Sequence, residues 1–280
     1  MRKSGAVIPL ILILLFCDIR YSPAHQKLRI ISLAPSTTEI LFALGLDDEI
    51  VGVSQFCNYP PQALLKEKVG SFSQPNIEKI LSLKPDIVFC TGLEQGPIVT
   101  KLRELNLRVG VSDPSNFREL FNSIKEIGRF VNKEGEADAL IKEMKMNIDQ
   151  INSKVRLIPK EKRVKVFVEI WHSPLMTAGR GSFIDELITL AGGINISHDT
   201  RRPYTYFSSE QVIKRNPDCI ILAYMGRENP ISIIRERLGW NSISAVKNSR
   251  VYNDINPDLF LRPGPRLILA LKEIYKRLYP

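Results

Sequence analysis

One segment occurs twice in this chain. Pro75-Asn76-Ile77-Glu78-Lys79-Ile80-Leu81-Ser82-Leu83-Lys84-Pro85-Asp86-Ile87-Val88-Phe89 returns 132 positions later, with drift, as Phe207-Ser208-Ser209-Glu210-Gln211-Val212-Ile213-Lys214-Arg215-Asn216-Pro217-Asp218-Cys219-Ile220-Ile221. In each copy a polar residue caps a short amphipathic helix, a Glu sits in the first turn, Pro-Asp ends it and an apolar run follows. This reads as helix, turn and buried strand. A period so much longer than a solenoid repeat predicts two similar lobes, and two lobes imply a cleft.

The first 24 residues have a different character. Arg2 and Lys3 precede an apolar stretch from Ala6 to Phe16, and these eleven residues fall short of the about 20 that cross a bilayer. Ser22-Pro23-Ala24 offers small residues for signal-peptide cleavage after Ala24, so export is expected. Leu14-Leu15-Phe16-Cys17 suggests lipidation at Cys17 as an alternative, against which the bulky Phe16 stands. No second apolar span follows, and the mature chain is expected to be soluble. Three cysteines remain after cleavage, Cys57, Cys90 and Cys219, and an odd count excludes a fully paired disulfide framework. Cys57 and Cys90 both follow predicted strands and are open to pairing, with buried thiols as the other reading. The formal charge is +9 for the whole chain; the leader carries Arg2, Lys3 and Arg20 against Asp18, so +7 remains. That excess suits an anionic partner or simply a basic envelope protein. No basic run with interleaved aromatics points to nucleic acid.

Along the mature chain, strands alternate with helices and hairpin signals are absent, which predicts an α/β fold with parallel sheets. Arg29 to Leu33 reads as a strand, and Ser36 with Glu39 has capping-box spacing ahead of an apolar helix stopped by Gly45. Between the halves, Phe117 to Phe130 is helical. Ala137, Leu140, Ile141, Met144, Ile148, Ile151 and Val155 then follow helical spacing for about 30 Å. The division expected is 25–115 for an N-terminal α/β lobe, 116–160 for a linking helical segment and 161–280 for a C-terminal α/β lobe. One stiff helix between lobes predicts little closure motion.

Catalytic signatures are missing. There is no GxxxxGK, GxGxxG after a strand, HExxH or GxSxG, and the histidines are His25, His172 and His198 alone. A non-enzymatic protein is expected. In open α/β sheets ligands bind beyond the carboxyl ends of the strands. That rule selects Ser36, Phe56, Tyr59, Phe72 and Thr91 from the first half, and Trp171, Tyr204, Phe260, Asp258 and Arg262 from the second. The set is aromatic with few charges, which suits a large, partly apolar ligand, although rings are also buried for packing alone. Glu78 and Glu210 fit two roles. A carboxylate in a first helical turn favours the helix dipole by about 0.3–1 kcal/mol. Equivalent positions in two lobes also suit docking onto a two-fold symmetric partner.

Ile31-Ser32-Leu33-Ala34-Pro35-Ser36-Thr37-Thr38-Glu39-Ile40-Leu41-Phe42-Ala43-Leu44-Gly45, Asn58-Tyr59-Pro60-Pro61, Lys84-Pro85-Asp86 and Leu261-Arg262-Pro263-Gly264-Pro265-Arg266 resemble the periplasmic substrate-binding proteins of cobalamin and ferric-siderophore ABC importers. The Tyr-Pro-Pro and the Phe-Leu-Arg-Pro-Gly-Pro-Arg most resemble the vitamin B12 branch. The resemblance implies two Rossmann-like lobes joined by a backbone helix, the class III architecture, with a corrinoid held in the cleft by aromatics. It implies ligand contacts at Tyr59 or Phe56, Phe72, Tyr204, Asp258 and Phe260, to which the strand-end rule adds Arg262. It also implies docking of Glu78 and Glu210 onto a permease dimer, a monomeric protein, no metal and no resident cofactor, with cobalamin as bound ligand. Phe72, Tyr204 and Phe260 stand where the best-known cobalamin binder is richer in Trp, and Thr91 replaces an aromatic. Arg201-Arg202 before Tyr204 keeps an anionic ferric chelate or haem open. An envelope enzyme acting on a metal chelate through Cys57, Cys90 or His172 is the alternative from another class.

Overall fold

A computed structural model describes residues 27–92, 94–224 and 230–280. The predicted leader, its cleavage after Ala24 and the lipidation at Cys17 lie outside these residues. The first half alternates β1 (Ile30–Ser32), α1 (Pro35–Ala43), β2 (Ile50–Val53), α2 (Ile77–Ser82), β3 (Ile87–Cys90), α3 (Gly96–Glu104) and β4 (Val109–Val111). Its strands pair in the order β2-β1-β3-β4, all parallel. β3 is buried at all four positions, as expected of a strand covered on both faces. Then come α4 (Phe117–Phe130) and the 22-residue α5 (Glu134–Val155), about 33 Å long by its rise per residue.

The second half contains β5 (Lys165–His172), β6 (Leu175–Ala178), α6 (Phe183–Leu190), β7 (Ile194–Asn195), β8 (Tyr204–Tyr206), α7 (Ser209–Arg215) and β9 (Cys219–Leu222). It ends with α8 (Pro230–Glu236), α9 (Ser244–Lys247), β10 (Val251–Tyr252), α10 (Asp258–Leu261) and α11 (Leu267–Leu278). β7, β5, β9 and β10 are parallel, like the first sheet. β6 and β8 add an antiparallel extension, with Trp171 opposite Met176 and His172 opposite Leu175. Sequence reading expected no hairpin, and took Trp171-His172-Ser173-Pro174 as a loop. The β5 strand instead runs on through His172, and its turn carries no Asn-Gly or Asp-Gly pair to announce it. No helix among the described residues is long and apolar enough to cross a membrane.

The repeated segment folds alike in both halves. Asn76 accepts a hydrogen bond from the Lys79 N–H at the start of α2, and Ser208 accepts one from the Gln211 N–H at the start of α7. The Asp after each Pro explains why the motif recurs. Asp86 Oδ2 accepts the Arg29 N–H at 2.8 Å, and its own N–H donates to the Arg29 carbonyl at 2.8 Å. Asp218 makes the same pair with Lys165, at 2.9 and 2.8 Å. Each Asp thus fastens a strand to the first strand of its sheet, β3 to β1 and β9 to β5.

Alternation along the strands sorts the apolar residues into three clusters. Ile31, Val88 and Cys90 face α2 and α3; Phe167, Ile220 and Leu222 pack with Trp240 and Ile234. The inward faces of both sheets share one cluster. Ile30, Ile87 and Phe89 of the first and Val166, Val168 and Ile221 of the second meet through α4, α5, α6 and α11. On α5 the buried stripe is Ala137, Ile141, Met144, Ile151 and Val155. Phe117 meets Phe183 edge-on at 5.9 Å, and the Phe117 N–H donates to Glu186 Oε2 at 2.9 Å. Burial holds the Glu186 carboxyl above the usual carboxylate range despite that bond.

Two expectations are corrected by packing. Phe260, assigned to the ligand, is 1% exposed and belongs to the shared core. Its position on α10 turns the ring inward, where apolar burial outweighs contact with the cleft. Ser36 and Glu39 form no capping box, because α1 begins at Pro35 after Ala34 and has no side-chain cap. Glu39 is instead 4% exposed and ion-paired. Arg266 Nε and Nη2 donate to its two oxygens at 2.8 and 2.5 Å, and Arg262 Nη1 lies 3.6 Å away. Burial raises the Glu39 carboxyl above its usual range, and both arginines oppose that shift.

Replacing Glu39 with Ala leaves the Arg266 guanidinium buried without its carboxylate, so urea unfolding should show a loss of about 3–5 kcal/mol. A loss under about 1 kcal/mol would mean that water takes over the arginine. In the same assay Phe260→Ala should cost about 3–5 kcal/mol, as a large core deletion does. Phe56→Ala, at a ring 56% exposed, should stay within about 0.5 kcal/mol. Equal losses for the two Phe variants would contradict their assignment to core and surface.

Candidate functional site

Every strand of the first sheet ends at the same hollow. Ala34, Pro35 and Ser36 follow β1, Phe56 follows β2, Thr91 follows β3, and Ser112 and Asp113 follow β4; together with Phe72 and Glu94 they line a cavity of about 510 Å³. This is where parallel sheets bind ligands, because loops diverge there and leave a crevice. The remaining wall comes from the far end of the chain, as Asp258, Leu261, Arg262 and Pro263.

The walls are held by buried polar groups. Gln95 is fully buried, accepts the Thr91 N–H at 2.8 Å, and donates through its amide to the carbonyls of Phe72 at 2.7 Å and Leu33 at 3.2 Å. One side chain thereby fixes three of the loops that form the cavity. Thr91 Oγ1 is buried and has no hydrogen-bond partner among the described residues. On the opposite wall, Arg262 pairs with Asp258 at 2.9 Å and donates to Asn58 Oδ1 at 2.6 Å. Arg266 lies over the Tyr59 ring at 3.9 Å.

The predicted residues divide into groups. Phe56, Phe72, Asp258 and Arg262, with Ser36 and Thr91, line the cavity. Tyr59 does not; it lines a second hollow of about 530 Å³ with Phe42, Leu140 and Leu269, because the Arg266 stack holds its ring on that side. Phe260 is in the core, as described. Tyr204, on β8, is 44% exposed and is not part of the cavity lining, and Trp171 is 40% exposed at the carboxyl end of β5. Glu78 and Glu210 are exposed in the first turns of α2 and α7. Ser208 donates its hydroxyl to Glu210, which holds that carboxyl below the usual range. Cys57, Cys90 and Cys219 are free, buried thiols, and burial pushes Cys90 up to about 12.

Beneath Trp171 lies a cluster that sequence reading missed. Glu169 is fully buried, receives two hydrogen bonds from Arg237 at 2.6 Å each, and accepts the Tyr224 hydroxyl. Burial first, then the Glu169 charge, raises the Tyr224 hydroxyl, so it stays protonated and donates. Arg237 also lies over Trp240 at 4.5 Å. Burial opposes its charge, but the Glu169 contacts keep it above its usual value. The His172 ring stands 5.3 Å from Trp171 and 5.8 Å from Tyr224, so this ion pair supports the aromatic end of β5. One signal was available: a single Glu inside the apolar run Val166-Phe167-Val168-Glu169-Ile170 needs a buried partner.

Similarity to known proteins accords with this geometry. An uncharacterized ABC transporter substrate-binding lipoprotein of Bacillus subtilis is 35% identical over 90% of this chain and 80% of its own length. A vitamin B12-binding protein of Vibrio cholerae is 31% identical over 88% of this chain and 87% of its own. The crystal structure of a possible iron-binding, periplasmic solute-binding protein of Staphylococcus epidermidis superposes with a TM-score of 0.81 at 32% identity, over 91% of this chain and all of the other. The fold is the class III arrangement of two α/β lobes with a helical connection. The periplasmic binding protein family matches residues 30–256, and the chain belongs to that family.

Proposed function

We propose that this chain is the exported capture component of an ABC importer, and that it takes a corrinoid, cobalamin, in the cleft and delivers it to a membrane permease. The observation that carries the reading is the cavity at the carboxyl ends of four strands, closed by the C-terminal crossing and faced by Phe56 and Phe72. Flat apolar rings beside hydroxyls and carboxylates suit a large macrocycle with a polar rim better than a compact ion. The vitamin B12-binding relative supports the corrinoid, while the possible iron-binding relative and Arg201-Arg202 favour a ferric chelate as the second reading.

The protein works without catalysis and without a resident cofactor in this reading. Burial of Cys90, whose thiol is pushed up to about 12, makes it a poor nucleophile or metal ligand at neutral pH. Export through the leader and action as a monomer belong to the same proposal. The exposure of Glu78 and Glu210 on equivalent helices supports a two-point dock onto basic groups of a permease dimer.

Calorimetric titration of the purified protein with cyanocobalamin, ferric siderophores and haem separates the ligands. Saturable binding of the first is expected, and its absence rules out the corrinoid. Charge reversal at both feet, Glu78→Arg with Glu210→Arg, should abolish uptake in cells while ligand affinity stays within about twofold, since surface charges outside the pocket act on docking. A comparable fall in affinity would place the carboxylates in the pocket or the fold instead.

A further inference from the structure

The antiparallel extension of the second sheet carries side chains that neither the core nor the cavity uses. Its two faces separate by alternation. On one face Leu175 and Phe207 join the outer cluster, Phe207 at 5.8 Å from Phe167. On the other, Ala178 belongs to the core that both sheets share. Met176, two positions from Ala178, and Tyr204, paired opposite it, take that inward face as well. Tyr206 pairs with Met176 from one side and Trp171 from the other, the latter after a register shift between Glu169 and Trp171. Cross-strand partners share a face, so Trp171, Met176, Tyr206 and Tyr204 form one row beyond the core. All three rings are exposed, Tyr206 by 69%. A cluster of uncovered rings on one surface is a binding feature rather than a packing one.

One end of the row is basic. The Gly179 N–H donates to the Pro203 carbonyl at 2.8 Å, which carries the pairing one step past Ala178 and Tyr204, so Arg180 and Arg202 leave the two strands at the same level. A Cβ on Gly179 would stand 1.6 Å from Thr200 Oγ1 and 2.9 Å from the Ser197 carbonyl oxygen. The glycine thus lets the loop that carries Arg201 and Arg202 close on β6. All three arginines are exposed, and no ion pair holds any of them among the described residues. The acids nearest in sequence are engaged elsewhere, Asp199 with Arg215 at 2.6 Å and Asp185 with His198 at 2.9 Å and Asn195 at 2.8 Å. Three like charges drawn together without a counter-ion repel one another, and a bound anion relieves that repulsion.

We propose that this face is the opposite wall of the cleft and reads the nucleotide tail of a complete corrinoid: the arginines take its phosphodiester and the aromatic row takes its benzimidazole base. The proposal rests on the corrinoid reading above. Planar guanidinium forks match phosphate oxygens, and exposed aromatic rings stack on the face of a base. The arginines that favour a ferric chelate therefore meet an anion on a corrinoid too. The macrocycle is left to Phe56 and Phe72 on the first wall.

The test titrates the purified protein calorimetrically with cyanocobalamin and with dicyanocobinamide, which keeps the macrocycle and its carboxamides but lacks the phosphodiester, ribose and base. Both are neutral overall, so the comparison isolates the tail. Cobinamide should bind about tenfold more weakly at low salt, and the gap should shrink as salt screens the arginine–phosphate contacts. Arg180→Gln with Arg201→Gln and Arg202→Gln should narrow the gap to about twofold, because removing the tail and removing its partners are not additive. Trp171→Ala with Tyr206→Ala should narrow it as well. Equal affinities for the two corrinoids at low salt, or a gap that either variant leaves unchanged, overturns the tail site and leaves the corrinoid reading standing. If neither corrinoid binds, the corrinoid reading fails and the tail site with it.

Discussion

The site depends on one buried carboxylate. Glu39 lies on the first helix of the chain, yet its partners Arg262 and Arg266 come from the last loop, 223 and 227 positions away. A carboxylate 2% exposed at its side chain is costly to desolvate unless hydrogen bonds and opposite charge compensate it, and here two guanidiniums do so. Such a pair adds little net stability over an apolar equivalent. What it supplies is position, since both guanidiniums that satisfy the charge belong to the last loop and hold it against the first helix. Arg262 also reaches Asn58 and Asp258, and Arg266 stacks on Tyr59, so the same anchor draws the loops after β1 and β2 towards the C-terminal crossing. Without that crossing the cavity would lose the wall formed by Asp258, Leu261 and Pro263.

The shared core sets how such a site works. Both sheets bury their inward faces in one cluster, with α4, α5, α6 and α11 between them. Separating the lobes would expose apolar surface at about 25 cal/mol per Å², and would also break the Phe117–Glu186 bond and the Phe117–Phe183 contact. A cleft with that connection is largely preformed. On the proposed function, binding would then adjust side chains of the cavity such as the half-exposed Phe56, more than close the lobes as rigid bodies. Preorganisation of this kind lowers the ordering cost of association. Gln95 extends the same principle to the loops, because its single amide holds three of them in register.

Much of the fold was legible because it obeys local rules. Apolar runs, caps and the Pro-Asp break marked the strands and helices, and the repeat marked the two sheets. The Asp in that break also had a cause: it fastens the neighbouring strand in both halves. The cavity lining was legible in part, since the strand-end rule led to Phe56, Phe72, Asp258 and Arg262, which line it. The rest depended on contacts distant in sequence. Glu39 has capping-box spacing from Ser36, so local reading assigned it a local partner, while the real ones lie in the last loop. Phe260 and Tyr59 are aromatic residues beside site residues, and sequence cannot show which way a ring turns. The core took the first and the Arg266 stack took the second. The β5–β6 hairpin lacked turn chemistry to announce it, and Gln95 carries no pattern at all.

Repetition also produced likeness without identity. The two helices that carry Glu78 and Glu210 have the same length class, the same capped start and the same clasped strand after them. Their caps differ in one respect. Ser208 accepts a backbone N–H and donates its hydroxyl to Glu210, whereas the Asn76 side chain accepts the Lys79 N–H through Oδ1, an atom that cannot donate. No partner holds Glu78 among the described residues, so its carboxylate retains its rotamer freedom. On the proposed dock, a two-fold permease would therefore meet one carboxylate already oriented and one that must be ordered on contact. Ordering a long side chain costs on the order of 1 kcal/mol, so the second lobe is the better placed to engage first, and the first lobe to complete the contact.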